Sequence, residues 1–146
     1  MATSTSEILR GIPGEPILKK ALAKMFPNDD KTSGIGYVTG AGAAVTQITS
    51  RSTGVTINAV CGTITGDATS LAAAAKATFV VTNSSVGIRD VVMISVVSGP
   101  TADTSIFNVS ATAAGSFSIK ASNVSAATAD TGAPIINFVV IKAVNS

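Results

Sequence analysis

Beyond residue 44 the chain alternates apolar residues with Thr, Ser or Asn at period two, whereas before it a single stretch follows the helical period. The alternation is clearest at Phe79 and Val81, Phe107 and Val109, Phe117 and Ile119, and Ile136, Phe138 and Val140. It places one face of each segment in a core and the other outward. Closely spaced Gly, Asn, Asp and Ser turns cut this region into eight predicted strands, over 45–49, 55–59, 62–65, 76–83, 90–98, 105–111, 115–122 and 134–143. The run from Leu71 to Lys76 favours a helix by propensity, but Thr69 and Ser70 open it and a strand closes it, so a loop or short turn is expected over 68–77. The pattern predicts an all-β, antiparallel two-sheet sandwich. A jelly-roll-like order is favoured over an immunoglobulin-like one, because the chain has one Cys and no Trp.

The helical stretch is 16–26, where Ile17, Leu18, Ala21, Leu22, Met25 and Phe26 share a face and Lys19, Lys20 and Lys24 fall opposite. Glu15 suits the positive end of a helix, Pro16 its first turn, and Pro27 with Asn28 ends it. The segment 32–44, rich in Gly, Ala and Thr, reads as a flexible linker. Its glycines lack the G-x-G-x-x-G spacing and precede a strand pattern, not a helix, which separates them from a phosphate-binding loop. The organisation expected is an N-terminal arm over 1–44 carrying one short amphipathic helix, and a β-sandwich domain over 45–146.

Composition narrows the chemistry. The 146 residues include no His and a single Cys, which removes intrachain disulfides, zinc fingers and imidazole bases. The formal charge of +2 comes from 18 charged groups, nine in each part, so the longer part is sparsely charged. No dense basic stripe marks a nucleic-acid binder. Mean hydropathy is +0.49, yet no apolar run approaches the roughly 20 residues of a spanning helix, and no signal-peptide pattern opens the chain. Synthesis in a cytoplasm is expected, with no membrane partner.

Asp67, Asp90, Asp103 and Asp130 are the carboxylates of the β region, each in a turn context that favours local capping over acid–base work. Asp29 and Asp30 lack the glycine and glutamate positions of an EF-hand loop. Three Asn-Xaa-Ser triplets, at Asn83, Asn108 and Asn123, are expected by chance in a Ser-rich chain. Cys61 has no basic sequence neighbour to activate it and reads as a small packing residue. No catalytic, cofactor or metal residue is predicted.

A three-turn helix is unstable alone, so its apolar stripe needs a surface. The reading favoured is that Ile17, Leu18, Leu22, Met25 and Phe26 dock on another protein. Covering an open end of the chain's own sandwich, or lying on a membrane, are the alternatives. A domain so poor in charge must cover itself with Ser, Thr, Ala and Asn, a surface suited to self-association, in cyclic form.

The stretch 45–65, with its distinctive run Ser50-Arg51-Ser52-Thr53-Gly54-Val55-Thr56-Ile57-Asn58, resembles small β-sandwich virion proteins of tailed bacteriophages, as do 79–84, 90–95, 114–117 and 135–143. The resemblance is to capsid decoration (cement) and head-fibre proteins. It implies a non-enzymatic homotrimer on the capsid exterior that stabilises the shell, with the arm bound to the major capsid protein and no cofactor. A tail-fibre or baseplate receptor-binding domain and a carbohydrate-binding module are the alternative readings.

Overall fold

A computed structural model describes residues 36–37 and 39–143. The chain divides into two units, Met1–Thr39 and Gly40–Ser146. The described residues of the second form eight strands: β1 (Gly42–Thr46), β2 (Val55–Thr56), β3 (Cys61–Thr65), β4 (Lys76–Thr82), β5 (Val91–Ser98), β6 (Ser105–Ala113), β7 (Ser116–Asn123) and β8 (Ile135–Ile141). The helix expected over 16–26 and the pair Asp29 and Asp30 lie outside the described residues. Among the described residues no helix is long and apolar enough to cross a membrane.

Each strand expected from the alternation is present, with two informative shifts. β1 begins at Gly42 and so takes in three residues read as linker. They join the sheet because β1 pairs with β3 from Gly42 opposite Cys61 to Thr46 opposite Thr65, and small residues suffice on an outer strand. β2 contracts to Val55–Thr56, yet Ile57 and Ala59 stay buried beyond its end. Period two there reports burial of an extended segment, whose Ile57 N–H donates to the Thr82 carbonyl at 3.0 Å. The loop expected over 68–77 is a turn closed by Ala75 N–H donating to Ala72 O at 3.0 Å.

The sheets are four-stranded, in the orders β1-β3-β8-β5 and β2-β4-β7-β6. They are mixed, not antiparallel as expected, because β1 pairs parallel with β3 and β2 parallel with β4. The cause is connectivity. β1 crosses to β2 and β3 crosses to β4 in the same direction, so each sheet receives two neighbours that run the same way. These parallel pairs take the order away from a jelly roll, an antiparallel architecture.

One apolar core lies between the sheets in a sandwich-like arrangement. Ile64, Ile136, Phe138 and Val140 face it from the first sheet and Phe79, Val81, Phe117 and Ile119 from the second. The Phe117 and Phe138 rings meet across it with centroids 5.4 Å apart and planes tilted by 46°, a favourable offset geometry. Phe107 is only partly buried and bridges to a smaller cluster of Leu71, Ala77 and Ala121.

Six connections cross between the sheets, and four of them, β1–β2, β3–β4, β5–β6 and β7–β8, lie together at one end of the strands, the crossing end. At the opposite end lie the β2–β3 and β4–β5 connections and the tight β6–β7 turn, where Gly115 adopts φ of +77° that a Cβ would strain. Asn83 closes this end, donating from Nδ2 to Ala59 O at 2.7 Å and accepting from Ser85 N–H at 2.9 Å. Asn123 makes the same pair of bonds at the crossing end, to Leu71 O and from Ser125 N–H, both at 2.9 Å.

Phe117→Ala should lower unfolding free energy by about 3–5 kcal/mol, the cost of emptying a buried Phe site. Urea denaturation of wild type and variant measures this, and a loss below about 1 kcal/mol would place the ring outside the core.

Candidate interaction surface

The carboxylates most able to do chemistry are committed to the fold. Asp130 is fully buried and Arg51 is 5% exposed; their Oδ2 and Nη1 atoms lie 3.2 Å apart. Arg51 also donates from Nη2 to the carbonyls of Asp130 at 3.1 Å and Gly132 at 2.7 Å, and from Nε to Thr69 O. Asp130 accepts further bonds from Thr101 N–H at 2.9 Å, Gly132 N–H at 3.1 Å and Ser105 Oγ at 2.6 Å. Burial alone would raise its carboxyl pKa. The Ser105, Thr101 and Gly132 donors, helped by the Arg51 charge, outweigh that effect and hold it below the ordinary value. All lone pairs of this carboxylate point at the protein, so it serves as a junction of four loops.

Asp90 has a similar role at the other end. It accepts from Gly87 N–H at 2.7 Å and Ala143 N–H at 3.1 Å, and pairs with Lys142, whose Nζ also donates to Ser85 O at 2.9 Å. The Lys142 hydrogen bond, then the Gly87 donor, lower its pKa to about 2. Asp67 caps its own turn through Thr69, which lowers its pKa too. Capping therefore holds for Asp67, while Asp90 and Asp130 are long-range junctions that turn chemistry alone does not reveal. Among the described residues there is no group of three or more His, Cys, Asp or Glu that could hold a metal, and no buried side-chain polar atom without a hydrogen-bond partner.

What the molecule presents outward is two unlike sheet surfaces. On the β2-β4-β7-β6 sheet, the register aligns Lys76 with Ser122 and Ile106, and Thr78 with Lys120 and Asn108, giving a mixed surface of hydroxyls and two lysines beside the exposed Ile106 and Val80. On the β1-β3-β8-β5 sheet one row runs Gly42, Cys61, Val139, Met93 and the next Ala44, Thr63, Asn137, Ser95, with Val91 opposite Ile141 beyond them. Gly62 faces inward, against Ile57 and Phe138, so its neighbour Cys61 belongs to the outward side. No charged residue stands in these rows, and Val91, Met93, Val139 and Ile141 make their β8–β5 half apolar except at Asn137 and Ser95. This is the surface with the character of a binding site.

Of the residues predicted to dock, Ile17, Leu18, Leu22, Met25 and Phe26 all lie outside the described residues. Val91, Met93, Val139 and Ile141 were not singled out by the alternation. The signal that finds them is its failure: 91–97 and 135–141 are nearly continuous apolar runs, as in strands covered on both faces.

Asp130→Asn should destabilise the chain by about 3–5 kcal/mol, because it leaves the Arg51 guanidinium buried without its counter-charge; chemical denaturation at neutral pH measures the loss. For Asp90, the folded carboxyl at about 2 lies below its ordinary 3.8, so its stabilisation is present above about pH 4 and fades as pH falls toward 2. The difference in thermal midpoint between wild type and Asp90→Asn should therefore shrink between pH 4 and pH 2. A difference constant over that range would show that the carboxylate charge does not hold the Lys142 segment.

Comparison with protein-family models, curated proteins and solved structures found no match.

Proposed function

We propose that this chain is a non-enzymatic structural protein of a tailed-bacteriophage virion, a capsid decoration protein of the cement or head-fibre type. The arm binds the major capsid protein through Ile17, Leu18, Leu22, Met25 and Phe26, and the β domain self-associates as a trimer on the capsid exterior, stabilising the shell. The observation that carries the reading is the charge-free outer surface of the β1-β3-β8-β5 sheet, which suits assembly more than solubility as a lone domain. The sequence resemblance over 45–146 supplies the virion context, and the buried, fully bonded carboxylates favour a structural role over catalysis.

The tail-fibre or baseplate reading shares these features and differs in location on the particle. A carbohydrate-binding module draws less support, since such sites stack sugars on exposed aromatic rings, and Phe79, Phe117 and Phe138 are buried in the core while Tyr37 alone of the described aromatic residues is exposed.

Gold-labelled antibody against the chain should decorate capsids and not tails in electron micrographs of the phage that carries it. Leu22→Asp combined with Phe26→Asp should abolish co-sedimentation with capsids while leaving the thermal midpoint of the β domain unchanged. Label on the tail would move the protein to the receptor-binding reading. A double variant that melts the β domain yet still binds capsids would make the helix part of the fold.

A further inference from the structure

We infer that the outer surface of β8 and β5, centred on Val91, Met93, Val139 and Ile141, is where a second copy of this chain docks. The inference rests on the self-association proposed above and names its surface.

Strand composition is the first support. β4 and β7 alternate strictly between buried and more exposed positions, as strands with one solvated face do. β5 and β8 carry apolar residues on both sides. Val92, Ile94, Ile136, Phe138 and Val140 belong to the core or pack against it, and the outer residues remain open, with Met93 56%, Val91 53% and Ile141 48% exposed. Such strands are built to be covered twice.

The occupant follows from charge and size. A partner of marked charge would be met by opposite charge, and the outward rows of this sheet contain none. A second copy of so sparsely charged a domain brings neutral surface of its own, so in a cyclic trimer the contact forms without repulsion and without desolvating an ion. Four strands of five, five, seven and eight residues, at about 4.8 Å spacing and about 3.3 Å per residue, give a projected surface of roughly 400 Å². The adjoining edge of β5, which has no Lys, Asp, Glu or Pro to block pairing, extends this toward the ~800 Å² per partner of a stable interface. The opposite sheet, with Lys76 and Lys120 outward, would bury two lysine charges per copy.

The test uses the full chain and matched pairs of substitutions. Met93→Lys with Ile141→Lys charges the proposed contact, and Val80→Lys with Ile106→Lys charges the opposite sheet at residues 47% and 57% exposed. By sedimentation equilibrium the wild type and the Val80/Ile106 variant should be oligomers, and the Met93/Ile141 variant a folded monomer by circular dichroism. Cys61, in the same row as Met93 and Val139, gives a readout without substitution. Its maleimide labelling should slow about fivefold as the total wild-type concentration rises to about ten times the pairwise dissociation constant, where about one fifth of the chains remain free, and this decides the matter if the charged variant fails to fold. A monomeric wild type overturns the inference together with self-association, including the case in which the charged variant loses capsid binding. An oligomeric wild type whose Met93/Ile141 variant keeps the same mass, or whose Cys61 labelling ignores concentration, overturns the inference alone.

Discussion

A single carboxylate holds the crossing end of this domain together. Asp130 sits on the β7–β8 connection and is joined to Arg51 from the β1–β2 connection, Thr101 from the β5–β6 connection and Ser105 at the start of β6. The β3–β4 connection enters through Leu71, which exchanges backbone hydrogen bonds of 2.8 and 2.9 Å with Asp130, and through Thr69, whose carbonyl takes the Arg51 Nε–H. Withdrawing such an ion from water costs several kcal/mol, offset only when every lone pair finds a donor. Here they do. The relative placement of the two sheets at this end is thus set by polar geometry, since apolar contacts between them tolerate sliding that a saturated carboxylate does not.

The two buried asparagines extend the same logic with neutral groups. Asn83 and Asn123 each end a long strand, each donates to a carbonyl of a neighbouring connection, and each accepts from the backbone N–H two residues on. An amide side chain supplies donor and acceptor on two separate atoms, one for each partner; an aspartate would set two oxygens against a carbonyl. The Asn-Xaa-Ser spelling at these sites is therefore the signature of a turn anchored into the domain. At Asn108, exposed and bonded only to its neighbour Val109, the same spelling has no such role.

Local chemistry made much of this legible in sequence. The positions of β3 to β8, the burial of Phe79, Phe117 and Phe138, and the turn before Lys76 follow from period-two alternation and turn residues, which act over a few neighbours. Parallel pairing did not follow, because β1 and β3 meet through connections whose direction no local pattern encodes. Arg51 and Asp130 stand 79 residues apart, and nothing near either announces the other. The outer surface of β5 and β8 was readable in principle. Its apolar runs break the alternation at Val91, Met93, Val139 and Ile141, and a break of that kind carries as much information as the pattern.

The position of β8 bears on the order of events during synthesis. β8 is the last of the eight strands among the described residues, yet it lies inside its sheet, between β3 and β5. Until it leaves the ribosome those two have no common neighbour, and β5 has no partner at all in its sheet. The 36 residues between Ser98 and Ile135 take roughly 2–7 s to translate at about 5–20 residues per second. Through that interval the nascent chain can close its β6–β7 hairpin and pair β4 with β7, but one half of the core has no lid. The sheet bearing the neutral outer surface is thus completed last, and the surface comes into being only when translation has passed Ile141.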